Sequence, residues 1–225
     1  TLIADEAHFF SSTPPVTQGS HGAGLWKGLV IGSSGVAYLN DTLIENAKTG
    51  ISVSGELNAN RLQIEHSYIG INNLASTIID GYSSVQIDYD SIQNSGILGI
   101  SNVEIEQSAT GIQTSGTSTI SNSNFSSVGV ALKNMAGETN ANNIGFISVT
   151  VGIASQLSAK VSVSNVHGQN IALLIDAANS DDLSVDDATV SGDRILVSNG
   201  ATSFSLSNIS FDGQINSITP SIDQQ

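Results

Sequence analysis

The amino-acid sequence predicts an all-β fold, a single solenoid in which each rung is a loop of short strands. Three observations predict it. A short alternating segment, a polar turn and then Gly followed by Ile or Val recur about every 20 residues between residues 51 and 215. Aromatic residues make up 5% of the 225 residues and charged residues 12%, so Ile, Val, Leu and Ala must build the core. Ser, Thr, Asn and Gly are abundant, as is typical of strands joined by tight turns.

The apolar residue that closes each unit defines the repeat. One rung cannot bury its inner side alone, so we expect each inward residue to stack on its equivalent in the next rung, about 4.8 Å away. The spacing predicts about ten rungs in one domain at 1–215, followed by a tail at 216–225. The closing residues are Ile51, Ile71, Ile97, Ile112, Val130, Ile153, Ile171, Ile195 and Ile215.

Small residues mark the turns of this repeat. Six glycines stand directly before a closing residue, where the backbone must adopt a positive φ or approach the next rung closely. These are Gly50, Gly70, Gly96, Gly111, Gly129 and Gly152. Asparagine tolerates the left-handed conformation better than most residues, so we expect that conformation at Asn122, Asn165 and Asn208.

The charge of the chain narrows the classes of partner. Six Lys and Arg stand against twenty Asp and Glu, which gives a net charge of −14 and disfavours nucleic acid and anionic membrane surfaces. No apolar run reaches the roughly 18 residues that cross a bilayer, so no membrane insertion is predicted. The chain has no cysteine, which excludes disulfides, zinc–thiolate sites and thiol catalysis.

The repeats, with Trp26, Lys27 and Gly28 ahead of them, resemble right-handed parallel β-helix proteins such as pectate lyases, polygalacturonases, tailspikes and many bacterial surface proteins. The resemblance covers nearly the whole chain. It implies a single right-handed parallel β-helix solenoid of the pectate-lyase-like type and an extracellular or cell-surface location. The chain lacks the Gly-His-Gly and Arg-x-Lys motifs of the polygalacturonases, and none of its Arg or Lys residues stands in a pectate lyase motif. The absence of these enzyme motifs therefore favours a protein without enzymatic activity.

The chemically richest segment runs from residue 61 to residue 107. Aligning its rungs on Ile64, Ile87 and Ile105 places Glu65, Asp88 and Glu106 in one outward column. Carboxylates stacked at the spacing of the rungs repel one another unless they move apart, share a proton or hold a cation.

Three interpretations of this column stay open. The first is a solvated acidic face. The second is a calcium site, in which Asp90 joins Glu65, Asp88 and Glu106 to supply oxygen ligands. The third is a hydrolytic carboxylate pair, since a separation near 5 Å suits a retaining glycosidase. Nearby tyrosines that could stack on sugar rings are Tyr68, Tyr82 and Tyr89.

The sequence thus predicts a non-enzymatic structural or binding module of a secreted or surface assembly. Polysaccharide or a surface protein would bind along a flat face through Glu65, Tyr68, Asp88, Tyr89 and Glu106. No cofactor is required, and calcium is the ion that the column would accept. The alternative is a polysaccharide lyase or glycoside hydrolase that acts at the acidic face. Unpaired strand edges at the ends of a solenoid also predict self-association into a filament or layer.

Overall fold

The computed structural model describes residues 1–10, 26–156, 158–178, 182–192, 194–197, 203–212 and 214–217. These residues form 21 β-strands, and the described ranges contain no helix. The first eleven strands are β1 (Leu2–Asp5), β2 (His8–Phe10), β3 (Leu29–Ile31), β4 (Val36–Glu45), β5 (Thr49–Val53), β6 (Glu56–Asn73), β7 (Ser76–Asp80), β8 (Ser83–Asn94), β9 (Ile97–Ser101), β10 (Val103–Glu106) and β11 (Thr110–Thr114). The other ten are β12 (Thr117–Ser126), β13 (Val130–Asn134), β14 (Gly137–Ile147), β15 (Val151–Gln156), β16 (Ala159–Ile171), β17 (Leu173–Ala178), β18 (Asp182–Gly192), β19 (Arg194–Val197), β20 (Phe204–Phe211) and β21 (Gln214–Ser217).

The strands pair in parallel with the equivalent strands one rung away, which makes the molecule a parallel β-solenoid as predicted. Nineteen strands form one hydrogen-bonded sheet, and β19 and β21 form a separate two-stranded sheet. The solenoid has about eight turns, where the sequence predicted about ten. β21 ends at Ser217, and residues 218–225 of the predicted tail lie outside the described residues.

One buried column shows how regular the rungs are. Its members pair from rung to rung in steps of 20 to 22 residues, in agreement with the predicted period. The column consists of Ile51, Ile71, Ile92, Ile112, Leu132, Ile153 and Ile175. Four of the predicted closing residues therefore stack as expected.

Three closing residues lie elsewhere in the rung. Ile97 is 63% exposed at the start of β9, Val130 is half-buried, and Ile171 is buried in a different column. Ile195 and Ile215 do pair with each other. A Gly followed by an aliphatic residue occurs at more than one position per rung, so this dipeptide alone does not fix the alignment.

Most of the described rungs bend at two corners, where one residue adopts the left-handed conformation, and the rung of β8 has such a residue only at the first corner. At such a corner the inward residues are three positions apart, as in the buried pair Leu39 and Thr42, so the alternation of the strand restarts. The first corner is formed by Glu6, Asp41, Arg61, Tyr82, Asn102, Asn122, Asn143, Asn165, Asp187 and Asn208, with φ between 47° and 61°. The prediction for Asn122, Asn165 and Asn208 is confirmed. The second corner is formed by Asn46, His66, Gln107, Ser127, Ser148 and Asn170.

The two corners, together with the turn that leads from one rung to the next, divide the solenoid into three faces. In the rung of β4 and β5, residues 36–40 belong to the first face, residues 42–45 to the second face and residues 49–53 to the third face. Equivalent residues of the other rungs extend each face. The glycines before the closing residues mostly serve close approach, because a Cβ at Gly111 would lie 2.7 Å from the carbonyl oxygen of Ala131 and 2.8 Å from the Phe125 ring.

Polar residues occupy part of the interior. Asn73, Asn94, Thr114 and Asn134 are buried and stack at the end of the third face. The Asn73 amide donates to Oδ1 of Asn94 at 2.8 Å, and the Asn94 amide donates to Oγ1 of Thr114 at 3.0 Å. Asn94 also accepts from the backbone N–H of Gly96 and donates to the backbone carbonyl of Thr117. The column therefore satisfies backbone groups at the turn between the third and first faces.

Asn94→Ala should destabilise the fold by about 2–4 kcal/mol, because it leaves buried backbone groups without a partner. Urea or thermal unfolding measures the change. Asn140→Ala is the matched control, since Asn140 is exposed on the first face and bonds to Glu138. This control should stay within about 0.5 kcal/mol of the wild type. Equal effects of the two substitutions would contradict the proposed role of the interior asparagine.

Candidate functional site

The acidic column lies on the second face, but its membership differs from the prediction. Glu65 pairs with Glu45 on one side and with Gln86 on the other, and Gln86 pairs with Glu106. Gln86 therefore occupies the place that the sequence assigned to Asp88. The predicted register of this rung was wrong by two residues. Such a slip keeps the inward and outward alternation intact, so the hydrophobic pattern does not reveal it.

Of the other predicted ligands, Asp90 and Glu106 do not lie next to Glu65. The side chain of Asp88 lies outside the described part of the structure. Asp90 lies on the third face, is 4% exposed and accepts a hydrogen bond of 2.8 Å from Gln93. Glu106 accepts a hydrogen bond of 3.1 Å from the Ser126 hydroxyl of the next rung.

The two predicted tyrosines form a pair just after the second corner. The rings of Tyr68 and Tyr89 are stacked, with centroids 4.9 Å apart and planes 12° apart. Tyr89 is 44% exposed. The same position in the following rungs holds Ala109 and Gly129, which are adjacent since a Cβ on Gly129 would lie 2.5 Å from the Ala109 carbonyl oxygen. The two large aromatic side chains are therefore followed, along the solenoid axis, by two small residues.

Glu104 and Glu106 point outward from the same short strand, β10. Partial burial raises the pKa of Glu104, and the negative charge of Glu106 and a hydrogen bond between the two carboxyl groups raise it further. Glu104 and Glu106 lie two residues apart on the outward side of one strand, and a carboxyl group with a raised pKa beside a second carboxyl group favours a shared proton.

Two cavities follow each other along the second face, in the direction of the solenoid axis, and together form a groove. The first part has a volume of about 150 Å³ and is lined by residues 82–84, 102–104, Asn122 and Asn124. The larger part has a volume of about 580 Å³. The two parts adjoin at Asn124, which lines both of them.

The larger part of the groove crosses β14, β16, β18 and β20. Gly145, His167 and Thr189 line it in one column, because each pairs with the next across neighbouring rungs. A Cβ on Gly145 would lie 2.2 Å from Oδ1 of Asn124, so glycine keeps the floor of the groove open here. The exposed His167 adds an imidazole.

Sequence reasoning missed this column, although the chain contains a signal for it. Each member stands two residues after the left-handed residue of the first corner. Glu104 follows Asn102 in this way, and Gly145 follows Asn143. Counting from the corner asparagines would have placed the whole column on one face.

A comparison with protein-family models, one with curated proteins and one with solved structures each find no match. The part of the chain that the structure describes holds no helix long and apolar enough to cross a membrane. The fold defines the class of the protein, a parallel β-solenoid with a groove on one face.

Glu104→Gln should change the pH dependence of stability. The pKa of Glu104 is higher in the folded chain than its usual value of 4.5, so its stabilisation is full below that value and is lost as pH rises through the folded pKa. The variant should therefore melt at a higher temperature than the wild type at neutral pH, with the difference shrinking as the pH falls below 4.5. Thermal melting over a pH series measures this.

Glu56→Gln controls for the removal of one negative charge, since Glu56 is exposed on the first face. Identical pH profiles for the two variants would contradict the shared-proton interpretation of Glu104 and Glu106.

Proposed function

We propose that this protein is a non-enzymatic extracellular or cell-surface module that binds a polysaccharide along the groove of the second face. The larger part of the groove, which crosses four neighbouring rungs of the second face, is the observation that carries the proposal. The pectate-lyase-like coil and the secreted type that the sequence resembles are part of the same proposal.

The groove has the chemistry that a sugar polymer needs. Its walls offer amide, imidazole and hydroxyl groups, from Asn124, His167 and Thr189, which can donate or accept hydrogen bonds. Equivalent positions recur at about 4.8 Å along the axis, so an extended polymer meets the next residue of this column at each rung. The net charge of −14 repels acidic polymers, which favours a neutral polysaccharide.

The tyrosine pair supplies an apolar surface just after the second corner of the rungs that hold β6 and β8. The same position in the next two rungs holds the small residues Ala109 and Gly129. Sugar rings present C–H groups that pack well on aromatic faces, as amphipathic side chains do at interfaces. We assign Tyr68 and Tyr89 to one end of the polysaccharide site.

Contact with another surface protein or with a second copy of the chain is the other part of the predicted role. The first face carries exposed apolar side chains near its start, namely Ile3, Tyr38 and Ile78, around an open pocket of about 380 Å³. This pocket lies on a different face from the groove, so such packing would leave the groove accessible.

A bulky side chain in the groove should weaken the binding of polysaccharide strongly. Thr189→Trp fills the larger part of the groove and should weaken binding of neutral polysaccharides at least tenfold in affinity electrophoresis. Ser162→Trp is the matched control, because Ser162 is equally exposed on the first face. Equal losses in the two variants, or stronger binding of polygalacturonate than of neutral polymers, would contradict the proposal.

Removal of one tyrosine should have a smaller effect. Tyr89→Ala should weaken binding roughly three- to tenfold, as expected for the loss of one aromatic contact. Tyr38→Ala is the control, since Tyr38 is 48% exposed on the first face and lines neither part of the groove. Release of reducing ends from any polymer that disappears in Glu104→Gln would replace the binding role by the hydrolase or lyase alternative.

A further inference from the structure

A group of potential metal ligands lies on the second face, near the start of the solenoid. Glu45, Glu65 and His66 each offer one ligand atom, and these atoms all lie within 4.8 Å of one another. Glu45 and Glu65 are in register on neighbouring rungs, and His66 occupies the second corner directly after Glu65. Of the ligands that the sequence predicted, only Glu65 belongs to this group.

Two further residues hold Glu45 in place. The imidazole Nε2 of His8 lies 2.6 Å from Oε2 of Glu45, and the His8 ring packs against Phe10 with centroids 4.7 Å apart. The indole N–H of Trp26 donates to the backbone carbonyl of Glu45 at 2.8 Å. One carboxylate oxygen of Glu45 is thus engaged, which leaves the other oxygen as a ligand. Carboxylate ligands oriented by a neighbouring hydrogen bond are a general feature of metal sites.

The donor set identifies the class of ion. Calcium prefers six to eight oxygen ligands, and an imidazole nitrogen in the group disfavours it. One imidazole and two carboxylates suit Zn²⁺ and related divalent transition metals, which take nitrogen and oxygen together. We propose that Glu45, Glu65 and His66 bind a divalent transition-metal ion such as Zn²⁺, with His8 as the residue that positions Glu45.

The geometry requires only small adjustments. Ligand atoms around one tetrahedral zinc ion lie roughly 3.3–3.6 Å apart, since each bond is about 2.0–2.2 Å long. The three side chains are partly or largely exposed, so rotation about their χ angles can bring the atoms from within 4.8 Å to that distance. Three protein ligands leave the fourth position of the ion to water.

Electrostatics favour occupancy by a cation. Two like charges stacked on adjacent rungs repel each other, and the chain as a whole carries a net charge of −14. A divalent ion removes this repulsion. The ion would also join the rung of β4 to the rung of β6, with β2 attached through His8, so it would stabilise the start of the solenoid.

The test uses the untagged full chain, freed of metal by a chelator and titrated with zinc chloride in a calorimeter. We expect one Zn²⁺ per chain and a higher melting temperature with Zn²⁺ than without it. Glu65→Gln and His66→Asn should each weaken binding at least tenfold. Both substitutions use residues that the solenoid already carries in the same columns, Gln86 and Asn46, so the fold should be retained.

Two further variants sharpen the assignment. His8→Gln should weaken binding by about 10- to 100-fold if His8 only positions Glu45. His167→Asn, which removes an exposed histidine far along the same face, should leave the affinity within twofold. Cobalt(II) in place of zinc should give the strong visible absorption of a four-coordinate site, and the double variant Glu65→Gln with His66→Asn should lose it.

The result that overturns the proposal is equally direct. Absence of Zn²⁺ binding in the wild type, or equal binding in the double variant, excludes this site. A larger thermal shift with Ca²⁺ than with Zn²⁺ that His66→Asn does not reduce would assign the column to calcium instead. These outcomes are independent of polysaccharide binding, because the metal ligands lie on rungs that precede the groove.

Discussion

The hydrogen bonding of each rung to the next is the interaction on which the rest of this structure depends. Every strand satisfies its backbone groups on neighbouring rungs about 4.8 Å away, so a side chain can only be placed relative to its equivalent in those rungs. Inward positions must then form columns, and the columns must be compatible in size. This is why Ile64, Val85, Ile105, Phe125 and Phe146 follow one another, with the two phenylalanine rings 5.8 Å apart.

The same constraint explains the corners. Where each rung bends with one left-handed residue, the bend uses the same number of residues and the register is kept, whereas the rung of β8 lacks this residue at the second corner and its register with β6 shifts there. Asparagine suits the position because its short polar side chain tolerates the left-handed conformation, and the corner asparagines also bond to each other. Asn143 donates to Asn122 at 2.8 Å and Asn165 donates to Asn143 at 3.1 Å.

Composition and period predict the all-β solenoid and its repeat length because they depend on every rung at once. The position of a single side chain depends on the register of one rung. A shift of two residues leaves the hydrophobic alternation unchanged, so the alternation does not distinguish between registers that differ by two residues. Asp88 and Gln86 are both outward by pattern, and only the pairing of Val85 with Ile64 decides between them. The burial of Asn94 could not be predicted either, because an asparagine in a polar sequence is also typical of an exposed turn.

The first and second faces differ in the hydrogen bonds that their side chains form with one another. On the first face, small polar side chains pair with one another along the columns, as Asn142 does with Ser164 and Ser184 with Ser162. A ligand there would have to replace bonds that already exist, at little net gain. The second face interrupts its columns with residues of different size and charge, such as Glu104, Gly145 and His167. Gly145 offers no side chain to its neighbours Asn124 and His167, so space remains in the groove beside these polar groups.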